Sequence, residues 1–231
     1  MVNNSNQSSP LIWDLATRLF HWSIVVLVAF QWFSISVMDD WMDYHEIGGY
    51  VLLSLILFRI VWGFVGSTYA RFRQFLYSPA VVLSYSKTLL QSDSQAYAGH
   101  NPMGGLAVVV LILLLLMQAI TGLFMTDDIF FYGPYYPSVS DEVQKLMSSL
   151  HHTTFEVLLW FIGIHIVTIV FYEFYKKQRL VSAMFTGRKQ NATDSGINDH
   201  YSLRALLVVG IAGALVYCLV AVFAPETVDY F

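Results

Sequence analysis

Five apolar stretches, each long enough to cross a lipid bilayer as a helix, dominate this chain: residues 19–38, 45–65, 103–125, 155–174 and 205–224. A hydrocarbon core about 30 Å thick needs about 20 apolar residues in helical form. The backbone finds no water there to bond, so such a run closes its hydrogen bonds within itself. The expected fold is all-α, an integral membrane helical bundle. Composition agrees, with 56% hydrophobic and 12% charged residues; the charged share is about half that of soluble proteins. A formal net charge of -4 offers nucleic acid no general attraction. A single cysteine, Cys218, excludes an intrachain disulfide, a paired-cysteine metal knuckle and covalent haem attachment through two cysteines. The first ten residues are polar and lack the basic start of a secretory signal, so the first apolar run is expected to remain as a helix.

Basic residues set the expected orientation, because cytoplasmic loops of membrane proteins are rich in Lys and Arg. With the amino terminus inside, Arg18, Arg71, Arg73, Lys87, Lys176, Lys177, Arg179, Arg188, Lys189 and Arg204 all fall on the cytoplasmic side, and only Lys145 is external. Asp39, Asp40, Asp43, Asp127, Asp128, Asp141 and Glu142 populate the outer connections, and the carboxyl terminus is external. Ser78-Pro79 is expected to open a short interfacial helix, and Asn101 to cap the third span. The aromatic turn Tyr132-Gly133-Pro134-Tyr135-Tyr136-Pro137 is a candidate outer docking surface.

Four of the seven histidines have positions that helix geometry can test. His151 and His165 lie 14 residues apart on the fourth span; at about 100° per residue they share a face to within roughly 40°, about 21 Å apart along the axis. His152 falls on nearly the opposite face. Depth pairs His45 with His151 near the outer surface, and His21 with His165 in the inner half. Two imidazoles from different helices at one level suit the two axial positions of a haem iron. A haem-free metal site would want carboxylate or thiolate company, and the inner pair has none nearby in sequence. Gly48 and Gly49, one turn beyond His45, are expected to leave room for a macrocycle. Arg59, Arg71 and Arg73 are candidate partners for propionates. His100, His152 and His200 read as surface or interfacial residues, with His100 also a weaker candidate beside a quinone.

The chain resembles the prokaryotic cytochrome b561 family, which includes hydrogenase cytochrome b subunits, over residues 12–189. The resemblance is carried by Trp13-Asp14-Leu15-Ala16-Thr17-Arg18-Leu19-Phe20-His21-Trp22, His45-Glu46-Ile47-Gly48-Gly49-Tyr50, Phe58-Arg59-Ile60-Val61-Trp62-Gly63-Phe64, Tyr69-Ala70-Arg71-Phe72, Gly99-His100-Asn101-Pro102-Met103-Gly104, Thr121-Gly122-Leu123-Phe124, Leu150-His151 and Ile164-His165-Ile166. It implies a four-helix core holding two non-covalent b haems, with ligands at His21, His45, His151 and His165, and quinone-linked electron transfer with an outer partner. The domains expected are a four-helix cytochrome b domain over 1–189, a polar cytoplasmic linker over 190–203, and an additional transmembrane helix with an external tail over 204–231. The fifth helix departs from the family core.

The leading expectation is a di-haem b-type cytochrome of a bacterial inner membrane, exchanging electrons between the quinone pool and a periplasmic c-type cytochrome or metalloenzyme subunit. A second reading is a stand-alone haem oxidoreductase acting on superoxide or ferric ion, although acidic outer loops disfavour an anion such as superoxide. A third is a haem-free transporter or scaffold.

Overall fold

The computed structural model describes residues 9–38, 41–89, 97–127, 131–189, 196–197 and 201–225. Asp39, Asp40, Asp128, His200, most of the expected linker and the tail from residue 226 lie outside the described residues. The helices are α1 (Leu15–Ser36), α2 (Met42–Val65), α3 (Phe72–Phe75), α4 (Pro79–Lys87), α5 (Pro102–Gly122), α6 (Asp141–Phe174), α7 (Leu180–Thr186) and α8 (Ser202–Tyr217), which continues into a π turn at Cys218–Val222. Helices α1, α2, α5, α6 and α8 are long and apolar enough to span a membrane, so the all-helical membrane bundle is as expected. Their alternation gives the bundle a basic end, where α1 begins, and an acidic end, where α2 and α6 begin.

One boundary differs substantially from expectation. Helix α6 has 34 residues, about 51 Å at 1.5 Å per residue, against a hydrocarbon core of about 30 Å. Residues 141–154 are too polar to register as a span, yet they continue the helix beyond it. Asp141 and Glu142 in the first turn complement the positive end of the helix dipole. At the opposite end of the neighbouring helix, Asn101 caps α5 as expected, its Oδ1 accepting from Gly104 N at 2.8 Å.

Helix α2 is the central post, burying Leu52, Leu53, Ile56, Phe58 and Trp62. A dry layer of Leu52, Ile56, Ile112, Leu115 and Leu158 joins α2, α5 and α6 at mid-depth. Helix α8 lies against α2, where the small Ala205 and Ala212 seat on Phe58 and Trp62, and Val216 meets Leu53 and Leu123. Tyr135 ties the acidic-end loop to the same helix by donating to Leu219 O at 2.8 Å.

The basic end is closed by a polar latch. Asp14, 1% exposed, caps α1 by accepting from Thr17 N at 2.7 Å and Thr17 Oγ1 at 2.9 Å. It also accepts from Trp62 Nε1 at 3.4 Å and from Ser67 Oγ, which binds the start of α1 to the end of α2. Just upstream, Ile12 N and Trp13 N donate to Gly187 O at 2.8 and 3.0 Å. Gly187 ends α7 at φ 79°, and a Cβ there would stand 2.6 Å from Trp13 O; only glycine suits both demands.

Candidate functional site

At the acidic end, His45 on α2 and His151 on α6 lie near enough for a charge on one to act on the other. Each ring is oriented through Nδ1 by a hydroxyl on a neighbouring helix. His45 Nδ1 lies 3.0 Å from Ser34 Oγ and 3.2 Å from Gln31 O, both on α1. A carbonyl can only accept, and Ser34 directs its own proton to Gln31 O at 3.0 Å, so the His45 proton belongs on Nδ1. His151 Nδ1 lies 3.0 Å from Thr121 Oγ1 of α5, which donates to Met117 O at 2.8 Å. His151 Nε2 accepts from the Gln118 amide at 2.9 Å. Both rings thus carry the proton on Nδ1 and the lone pair on Nε2, the tautomer of a metal-ligating imidazole, and on His151 the Gln118 amide occupies that lone pair.

At the basic end, His21 on α1 and His165 on α6 lie near enough for a charge on one to act on the other, and His100, just before α5, lies within the same range of both. Trp22 sets its ring edge-on to His21 at 5.0 Å and stacks on Phe185 of α7 at 4.2 Å. Burial, reinforced by Arg59 and Lys189, holds the His100 imidazole down to about 3. Burial likewise pushes the Lys189 ammonium down to about 8. Its Nζ donates to Tyr97 O at 2.7 Å and to Gly99 O at 3.4 Å.

The residues fit a haem at these levels. Among the described residues, the buried side-chain polar atoms without a hydrogen-bond partner are Arg18 Nε, His21 Nδ1, Trp22 Nε1, Gln31 Oε1, His100 Nδ1 and Gln118 Oε1. All six belong to the four histidines or their neighbours, and buried groups left unpaired in a folded protein usually face a ligand or water. No group of three or more His, Cys, Asp or Glu residues able to hold a bare metal ion occurs among the described residues. Imidazoles in pairs, without carboxylate or thiolate company, match a metal that brings its own macrocycle.

The arginines and Gly48 are placed otherwise than expected. Arg59, 3% exposed, donates to Ala70 O at 3.2 Å and lies over the rings of Phe72 and Phe75 at 5.4 and 5.8 Å. Arg71 Nε donates to Gly66 O at 2.8 Å, and Arg73 is exposed on α3. The first two brace the connection after α2, because its backbone carbonyls need donors near the membrane surface. Gly48 admits α1 rather than a macrocycle: a Cβ there would lie 2.4 Å from Gln31 Oε1. The glycine that borders a histidine ring is Gly122, whose Cβ would stand 3.3 Å from His151 Cε1. His152 points outward and is exposed, its ring edge-on to His151 at 6.2 Å.

Residues 12–187 match the family described as prokaryotic cytochrome b561. The chain belongs to that family. A cytochrome b561 of this kind is a multi-pass bacterial membrane protein in which haem b carries electrons. The chain is 25% identical over 221 residues to a probable Ni/Fe-hydrogenase B-type cytochrome subunit of Rhizobium leguminosarum bv. viciae, covering 79% of this chain and 90% of the relative. It is 26% identical over 214 residues to the protein of the same description in Azotobacter chroococcum mcd 1, covering 78% and 88%. A Rhodobacter capsulatus protein of that description shares 25% over 221 residues, covering 79% and 82%. No solved structure matches significantly. Helix α8 lies beyond the matched residues of this cytochrome b561.

Ser34, Thr121, Gln118 and Asp14 carry the geometry just described; Ser34 and Gln118 went unremarked in the sequence, and Asp14 and Thr121 stood only within family-like motifs, without a role. Asp14 had a usable signal, the N-cap spacing Asp14-x-x-Thr17 ahead of an apolar run. The others are ordinary helix residues until packing sets them beside a histidine.

Proposed function

We propose that this cytochrome b561 holds two b haems in series, one between His45 and His151 and one between His21 and His165. In this reading it passes electrons between the quinone pool and a redox protein outside the membrane. The observation that carries the reading is the shared tautomer of His45 and His151, each held through Nδ1 by a hydroxyl so that the lone pair lies on Nε2, where on His151 a haem iron would displace the Gln118 amide. Bound haem supplies a one-electron carrier at each level. His45 and His151 bind from α2 and α6, while Ser34 and Thr121 keep their rings from turning. At the other level His21 and His165 bind from α1 and α6. Leu52, Ile56, Ile112, Leu115 and Leu158 exclude water between the levels.

The basic end faces the cytoplasm in this reading, as its lysines and arginines require. The acidic end then faces the periplasm with Asp43, Asp141 and Glu142 exposed. Tyr44 and Tyr132 add exposed aromatic surface beside them, and such a face suits a partner with a basic docking surface. The names of the relatives favour a hydrogenase catalytic subunit as that partner; a c-type cytochrome is the other candidate.

The test is reduction of the purified protein by a quinol, followed in the visible spectrum, with a pull-down from native membrane alongside. A bis-imidazole b-type band that quinol generates, and an attached periplasmic redox protein, are expected. A protein that dithionite reduces but no quinol reduces would contradict the quinone link.

A further inference from the structure

His100 is held by rings rather than by hydrogen bonds. Trp13 from the amino-terminal segment and Phe75 from α3 each approach it to 4.7 Å, tilted at 58° and 56°. Its Nδ1 is buried and has no hydrogen-bond partner among the described residues. The ring also borders a cavity of about 200 Å³ lined by tyrosines, among them Tyr69, Tyr77 and Tyr97.

Its surroundings are positive. Arg59 and Lys189 both act on His100 electrostatically, and both direct N–H groups to neutral carbonyls, of Ala70, Tyr97 and Gly99. Asp14 is the acid that Arg59 senses, and its oxygens are already taken by Thr17, Ser67 and Trp62. One free imidazole nitrogen among excess cations calls for an anionic acceptor. His100 shares the basic end with His21: Trp13, against His100, bonds to Gly187 at the end of α7, and Phe185 of α7 stacks on Trp22 beside His21; the periphery of a b haem carries carboxylates.

We propose that His100 donates its Nδ1 hydrogen bond to a propionate of the haem held by His21 and His165. A neutral quinone head at the same nitrogen would leave the charge of Arg59 and Lys189 unmatched. The inference rests on the two-haem reading. Donation to the propionate draws negative charge away from the iron, so it favours the reduced form of that haem.

Three full-length proteins in lipid nanodiscs decide it: wild type, His100→Phe, which keeps a ring between Trp13 and Phe75 without an N–H, and His100→Asn, which keeps an N–H. The readouts are the propionate bending band in resonance Raman and the midpoint potential of each haem. His100→Phe should shift the band and move one midpoint negative while the other stays, with His100→Asn restoring part of both. Loss of that haem in His100→Phe but not in His100→Asn supports the proposal equally. Equal behaviour of the two variants, or an unmoved band, overturns it. A raised KM for quinol with an unmoved band also overturns it, assigning the nitrogen to a quinone head. Wild type with fewer than two haems would instead defeat the two-haem reading, which keeps the two failures apart.

Discussion

Thr121 Oγ1 stands 3.0 Å from His151 Nδ1 and thereby decides which nitrogen of that imidazole carries the proton. The hydroxyl proton is engaged by carbonyls of its own helix, Met117 at 2.8 Å and Gln118 at 3.1 Å, so Thr121 accepts from the ring. Partners of this kind tune ligand strength, and losing one typically costs roughly 10–100-fold in metal affinity. Thr121→Val keeps the shape and removes the acceptor. Haem titration into the apo-protein should show one of two sites weakened by roughly 10–100-fold. The midpoint of that haem should rise, because its histidine loses basicity. Equal affinity at both sites would contradict the orienting role.

Gly122 offers a steric test of the same site. With His151 Cε1 only 3.3 Å from where a Cβ would sit, Gly122→Leu forces the ring to move, and one haem per chain should be lost. Gly163 is the control, since a Cβ there meets nothing within 4 Å. Gly163→Leu should retain full haem content by absorbance, although it lies two residues from His165. Equal loss in both variants would show general damage to the bundle rather than a directed clash.

The doubled histidine separates a ligand from a bystander. His151 is half-buried and bonded on both ring nitrogens, whereas His152 is exposed. His151→Ala should remove one haem by pyridine haemochrome assay, and His152→Ala should remove none. The reverse outcome would require α6 to be turned by about 100°.

Asp14 has no expected part in electron transfer, and its variant should report on folding alone. Asp14→Ala leaves the donors of Thr17, Ser67 and Trp62 unmatched in a buried place. The expected loss is on the order of 3 kcal/mol of stability, read as a lower midpoint of thermal unfolding. Both haems should be present at low temperature. An unchanged midpoint would show that the latch is dispensable.

The spans were legible because lipid leaves a long apolar run no choice but a helix, and the histidine depths followed from where those runs begin and end. The acidic-end part of α6 was not legible, since residues 141–154 are too polar to stand out, and a hydropathy reading ends where the apolar run ends. Arg59 misled for a sound reason: a cation within a span usually marks function. Its partner, Ala70 O, lies 11 residues on, in a connection whose path a linear reading does not give. The glycines beside His45 misled in the same way. Gly48 answers to Gln31 on another helix, and nothing local to it says so. Ser34 and Thr121 acquire their roles only when α1 meets α2 and α5 meets α6.

The central claim is that four histidines on three helices bind iron as two stacked bis-imidazole pairs. Haem b per chain, measured by pyridine haemochrome against amino-acid analysis on the full-length protein, tests it most directly. Two haems per wild-type chain are predicted, falling to one in each of His45→Ala and His165→Ala. A wild-type chain with one haem or none, or a full complement in either variant, would contradict the account.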